Sequence, residues 1–323
     1  VKWLLVTTNP LPHLAGTEHP HGAGWNVGDV FARLGTEQLI RRVDPNAHIE
    51  LVNMDSAESI TTPRAFDRAI FAGRPMFWID CESHPLWSEL INGWLCVDPR
   101  KVMALGVGDC FPLPTPSGLL AEQIAKARAR MWRGTLRRRG FQDFTPCPAT
   151  WLLLDRPEVP TLKLCNLMPM GAHYPEMNPA AAAFSDEKAG ERARTLIDDG
   201  WLFVAHSSQE RALALRLGWT NSKIIFGANV STYLAAYAGA KAYIGNRLHG
   251  ALVLASREAF PLGVGYDSRI FAVLSAMVPV TPPEVWDYRQ ALRTNEECAK
   301  RIQYIREQRE LAVALVREFA SEQ

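Results

Sequence analysis

Short apolar runs alternate with helical stretches along almost the whole chain, and no other feature restricts its fold so much. Residues 2–7 read as a strand buried on both faces, with further strands at 48–54, 69–72 and 102–105. Strands buried on both faces belong to parallel sheets, and parallel neighbours need a crossover, usually a helix. Asn26-Val27-Gly28-Asp29 opens such a helix, amphipathic, with Val30, Leu34, Leu39 and Ile40 on one stripe. The apolar run 151–154 reads as the strand that closes the first half. The pattern then restarts, with strands at 162–167, 201–205, 223–226, 242–244 and 261–264 and helices at 185–199, 208–217 and 248–256. Two prolines and two acids interrupt it over 155–160. The expectation is an α/β protein of two Rossmann-like domains, 1–158 and 159–283, facing a central cleft. A helical segment, 284–323, follows, with two docking places open to it: back on the first domain, or on a neighbouring molecule.

With 323 residues, 47% hydrophobic and 21% charged, the chain can bury two cores. A formal charge of +1 gives no basic field for nucleic acid. Six cysteines without a C-x-x-C pair supply neither a disulfide scaffold nor zinc-ligand spacing, so reduced thiols are expected. Trp3-Leu4-Leu5-Val6 is too short for a signal peptide, and no run approaches the roughly 20 apolar residues of a bilayer span. A cytoplasmic protein is expected, touching a membrane only from its inner face.

The segment most suited to chemistry is Tyr243-Ile244-Gly245-Asn246-Arg247-Leu248-His249-Gly250. A strand ends there, and a tight turn presents an arginine and a histidine where a helix begins. Helix N-termini attract anions through unpaired N–H groups and the helix dipole. Arginine grips a phosphate or carboxylate with two parallel hydrogen bonds, and histidine exchanges a proton near neutrality. The same residues equally suit an arginine salt-bridged at a domain face beside a buried, satisfied histidine. His206 follows strand 201–205 and also faces the cleft on this reading.

Arg247-Leu248-His249-Gly250, followed by Phe260-Pro261-Leu262-Gly263-Val264-Gly265-Tyr266-Asp267, resembles the C-terminal signature of the polysaccharide pyruvyl transferases. Asn26-Val27-Gly28-Asp29 is similar to that family's N-x-G-D helix start. Asp67 to Gly73 resembles its aspartate, strand and glycine turn, and Leu105-Gly106-Val107-Gly108 its Gly-x-Gly turn. Arg128 stands where the family has an arginine-aspartate pair, and Cys147-Pro148-Ala149-Thr150 resembles the segment before its last first-domain strand. The matches run in order over residues 26–269.

The resemblance implies a GT-B-like fold and transfer of the pyruvyl group of phosphoenolpyruvate onto a sugar as a ketal. It implies Arg247, Leu248 and Arg128 on the donor side, where its place after a strand also puts His206 as a secondary candidate, and His249 as the acid that protonates the enol carbon. Asp29 would assist the attacking hydroxyl, with Asn26, Gly28, Gly73, Gly106 and Gly108 on the acceptor side. The partners are phosphoenolpyruvate and a sugar or lipid-linked saccharide, with no metal and no cofactor required. Gly73-Arg74-Pro75 departs from the family's consecutive glycines, Ala129 from its aspartate, and Arg269 from its lysine. Two other functions fit the same fold: a glycosyltransferase using a nucleotide sugar, with Arg247 on the diphosphate, and a non-catalytic glycan-binding protein.

Several features have plainer readings. His13, His19 and His21 share a proline-rich loop, where surface histidines are commoner than a metal site. Asp80-Cys81-Glu82-Ser83-His84 matches no catalytic spacing. Gly106-Val107-Gly108 lacks the third glycine of a dinucleotide fingerprint. The arginines between 128 and 139 suit a solvated helix face, or docking to an anionic lipid surface. Trp25 has the chemistry to stack on a sugar ring.

Overall fold

The computed structural model describes residues 1–7, 27–54, 60–72, 75–77, 93–94, 98–106, 108–109, 146–168, 186–227, 229–265, 277–281 and 295–321. The first half runs β1 (Lys2–Thr7), α1 (Val27–Val43), β2 (His48–Asn53), β3 (Arg68–Ala72), β4 (Pro75–Phe77), β5 (Val102–Leu105) and β6 (Gly108–Asp109). Its main sheet is parallel throughout in the order β2-β1-β3-β5, and β4 pairs with β6 in a separate strip. Trp3, Leu4, Leu5 and Val6 are all buried, as their place in the middle of a covered sheet requires.

The second half runs β7 (Leu162–Asn166), α2 (Asp186–Asp198), β8 (Leu202–Val204), α3 (Ser208–Leu217), β9 (Ile224–Ile225), α4 (Val230–Ala238), β10 (Ala240–Gly245), α5 (Leu248–Ala255), β11 (Phe260–Val264) and β12 (Val280–Thr281). Its six strands are parallel in the order β12-β11-β10-β7-β8-β9. Counted from β7, that is the strand order of a Rossmann sheet. The expected α/β architecture of two Rossmann-like halves is what the chain adopts.

The last described element, α6 (Asn295–Ser321), joins the halves. Near its start, Arg301 donates to the carbonyls of Ala255, Arg257 and Ala259, closing the end of α5. Near its end, Arg68 of β3 donates to the Phe319 and Ala320 carbonyls, and Trp3 meets the Phe319 ring edge-on. The C-terminal helix therefore packs back on the chain's own first half. Arg257, buried in the turn after α5, donates to the Leu153, Arg156, Glu158 and Ala238 carbonyls and so fixes the crossing between halves.

Three expectations need correction. Residues 151–154 form no strand. A 3-10 helix over Pro148–Trp151 continues into a turn, with N–H groups of Thr150, Leu152, Leu154 and Arg156 each bonding three residues back. A short apolar run does not by itself distinguish strand from buried helical turn. This one packs against α1 and α5 rather than joining the first sheet. Second, α1 is not a helix with one apolar stripe. Arg33, Gly35 and Thr36 are buried along with Val30, Leu39 and Ile40, because the 3-10 turn, α5 and α6 cover it from several sides. Third, α4 was not foreseen; Asn229 caps it by accepting from the Ser231 N–H at 3.0 Å.

Candidate functional site

In a Rossmann sheet the ligand crevice opens at the carboxyl ends of the strands, at the point where the strand order reverses. Here the reversal falls between β7 and β10, and their end residues Asn166 and Gly245 are register partners. The turn that follows is tied to β7. The Asn246 N–H donates to the Asn166 carbonyl at 3.1 Å, and its Oδ1 accepts from the Met168 N–H at 2.7 Å. Tyr243 lies under the turn and donates from its hydroxyl to the Arg247 carbonyl at 3.2 Å. A Cβ at Gly245 would meet that hydroxyl at 2.5 Å, and one at Gly250 would strike it too. These glycines make room for the tyrosine that shapes the turn.

Arg247 is the N-cap residue of α5, in extended conformation. Its Nε donates to Oε1 of Glu210 at 2.6 Å, and an Nη group meets the same oxygen. The other oxygen of Glu210 accepts from Asn166 Nδ2 and from the His206 backbone N–H, both at 2.8 Å. Glu210 is 0% exposed and Arg247 19%, so this ion pair runs from the interior to the surface. Four donors around a buried carboxylate compensate its desolvation. Sequence reasoning passed over Glu210. Ser207-Ser208-Gln209-Glu210 is a capping-box pattern, and Ser207 Oγ does accept from the Glu210 N–H at 3.3 Å. Instead of returning to Ser207, the glutamate side chain reaches His206 and Arg247.

In the first turn of α5, His249 Nδ1 lies 3.8 Å from Oδ1 of Asp29, itself in the first turn of α1. The two side chains are 14% and 24% exposed, so the pair lies at the edge of the interior. The N-terminal ends of α1 and α5, each following a parallel strand, thus converge from opposite halves. Leu248 opens α5 and is half-buried, and Gly28 is buried in α1.

His206 lies deeper than the cleft-facing position expected of it. It is wholly buried, its Nε2 is 2.7 Å from the Tyr237 hydroxyl, and Phe31, Tyr233 and Tyr237 meet its ring edge-on. It borders Glu210 through its backbone instead of facing a ligand. Burial first, then the charges of Arg247 and His249, hold its imidazole well below the usual value. The folded protein therefore keeps His206 neutral, whereas the unfolded chain protonates it near pH 6.5. Its stability contribution is complete above that pH and falls as pH drops below it, by up to about 1.4 kcal/mol per pH unit. In urea titrations from pH 7.5 to 5, wild type should lose stability more steeply than His206→Gln. Parallel curves for the two proteins rule out the neutral, buried His206.

Gly106 has a φ of 60°, and a Cβ there would lie 2.7 Å from Cys147 Cα, so it seats the 146–148 segment on the end of β5. Burial pushes the Cys147 thiol up to about 12, which makes it a packing residue. Gly108 lies in the β4–β6 strip, apart from the main sheet. Asn26, Gly73 and Arg128 lie outside the described residues, as do His13, His19, His21, Trp25, the 80–84 segment and the arginines between 128 and 139. Among the described residues no group of three His, Cys, Asp or Glu side chains is placed to hold a metal ion. No described helix is long and apolar enough to cross a membrane.

Comparison with known proteins bears on this geometry. The family model of polysaccharide pyruvyl transferase matches residues 26–253, which include Asp29, Glu210, Arg247 and His249. No curated protein matches the chain. Among solved structures, the E. coli heptosyltransferase WaaC with ADP-2-deoxy-2-fluoro heptose is 14% identical, over 95% of this chain and 99% of that one, with a TM-score of 0.37. The wall teichoic acid polymerase TagF is 8% identical over 98% of this chain and 88% of its own, TM-score 0.45. S. aureus MnaA with UDP is 8% identical over 99% and 90%, TM-score 0.44.

Proposed function

This chain belongs to the polysaccharide pyruvyl transferase family, and from that premise we propose that it moves the pyruvyl group of phosphoenolpyruvate onto a sugar of a polysaccharide or its precursor. The observation that carries the reading is the meeting of Arg247, His249 and Asp29 at two converging helix N-termini. Phosphoenolpyruvate bears a phosphate and a carboxylate, for which a guanidinium beside a helix N-terminus is a matched receptor.

His249 donates a proton to the methylene carbon, which leaves the adjacent carbon open to attack. One sugar hydroxyl adds there, giving its proton to Asp29, and the carbon–oxygen bond to phosphate breaks. The second hydroxyl then closes the ketal. Of the two hydroxyl protons released, one restores His249 and the other leaves with phosphate, so the product methyl group carries the proton His249 supplied. Arg247 stabilises the charge that gathers on the departing phosphate.

The reading is tested by thermal denaturation with phosphoenolpyruvate and, separately, nucleoside diphosphates. A ligand that binds only the folded state stabilises it by about 2.7 kcal/mol at a hundredfold excess over Kd. Phosphoenolpyruvate should raise the Tm of wild type and leave that of Arg247→Ala in place. Stabilisation by a nucleoside diphosphate alone would overturn the pyruvyl donor in favour of a nucleotide-sugar donor.

A further inference from the structure

We infer that Glu210 is the positioning residue of the anion site: its carboxylate fixes the Arg247 guanidinium in the orientation from which it meets the donor. The inference rests on the role proposed for Arg247 above. Among the described residues, Arg247 is the cation paired with this wholly buried carboxylate. The pairing uses one edge of the fork, Nε together with an Nη group, on a single oxygen. A planar group gripped along one edge has its plane set. An arginine left to itself samples many rotamers, and that freedom is lost again each time a ligand binds.

The anchor beneath Glu210 is rigid for stated reasons. Its second oxygen is bonded to Asn166, at the end of β7, and to the His206 N–H, just past the end of β8. Its backbone is set by the Ser207 cap at the start of α3. The Asn166 amide also donates to the Val204 carbonyl at the end of β8. Glu210 therefore ties the ends of β7 and β8 to the start of α5, across the point where the sheet order reverses. An ion pair needed only to neutralise a buried charge has no reason to place its cation 19% exposed beside His249.

The chemistry also says which substitution discriminates. All four donors point at Glu210 oxygens, so both must accept. A glutamine has one acceptor and one NH2 group, and that NH2 must confront N–H donors on one side. Either Arg247 or the Asn166–His206 pair loses its partner. Glu210→Asp keeps both acceptors and the charge while shortening the reach.

The experiment measures binding of inorganic phosphate and phosphoenolpyruvate by calorimetry to the full chain, as wild type, Glu210→Gln, Glu210→Asp, Arg247→Ala and the double variant Glu210→Gln/Arg247→Ala. Near-ultraviolet circular dichroism of each protein establishes that it is folded. We expect Glu210→Gln to weaken binding of both anions by about tenfold, Glu210→Asp by less, and the double variant to bind no worse than Arg247→Ala alone. If Glu210→Gln does not fold, the same comparison is made with Glu210→Asp against wild type. A folded Glu210 variant that loses thermal stability but binds both anions like wild type overturns the inference. So does a wild type that binds neither anion, since there is then no site to set. A wild type that binds phosphate but not phosphoenolpyruvate retires the donor proposed above. The role of Glu210 then stands or falls on the phosphate affinities alone.

Discussion

Replacing His249 with alanine should lower kcat about 100- to 10,000-fold, the range of a lost general acid, while phosphoenolpyruvate still raises the melting temperature. The split follows from where the two functions lie. Arg247 caps α5 and is fixed from below by Glu210, so anion binding survives without the imidazole two residues on. Protonation of the enol carbon does not survive, because the other described imidazole nearby, that of His206, is wholly buried and bonded to Tyr237. Asp29→Asn should give a smaller loss, since it removes the carboxylate that takes the attacking hydroxyl's proton but leaves the acid, 3.8 Å away at Nδ1, in place. That separation is longer than a hydrogen bond, as is common for catalytic pairs before substrate draws them together. Turnover of the donor with an accepting glycan, read beside thermal shift on the same protein, checks both. Undiminished kcat in His249→Ala would remove the histidine from the reaction and leave Arg247 as an anion site with no acid beside it.

How much of this was legible in the sequence can be traced residue by residue. The strands at 2–7, 102–105 and 201–205 were readable because continuous apolar stretches fit strands of a parallel sheet covered on both faces. Arg247 and His249 were readable because they sit in a signature at a strand–helix junction. Glu210 was not, since nothing in S-x-x-E says that the glutamate will leave its own cap for an arginine 37 positions on. The buried place of His206 was equally hidden. Alternation puts it after a strand, but only the packing of Phe31, Tyr233 and Tyr237 decides that its ring points inward. The 151–154 run was misread because its partners, α1 and α5, come from opposite sides of the chain and leave no trace in local periodicity.

That same packing carries the second large effect. Gly35→Ala should destabilise the protein by about 3 kcal/mol or more, the upper end for forced overpacking. The added Cβ would fall inside the Pro148 carbonyl group, and both collision partners there are backbone atoms that no rotamer change can remove. The turn cannot easily withdraw, because Trp151 is buried and donates from Nε1 to the Gly35 carbonyl at 3.2 Å. Gly190, in the interior of α2, has nothing within 4 Å of a built Cβ, so Gly190→Ala should stabilise by about 0.5–1 kcal/mol through helix propensity alone. Urea unfolding of the two variants against wild type makes opposite signs the test, and a Gly35→Ala protein as stable as wild type would mean that α1 does not seat on Pro148. The consequence reaches the chemistry. α1 carries Asp29 and Phe31 two turns or less before Gly35, and α5, which packs on the same 3-10 turn, carries His249. A shift of α1 by even a few tenths of an ångström changes the gap between Asp29 and His249, so Gly35→Ala should lose activity under conditions where it is still fully folded.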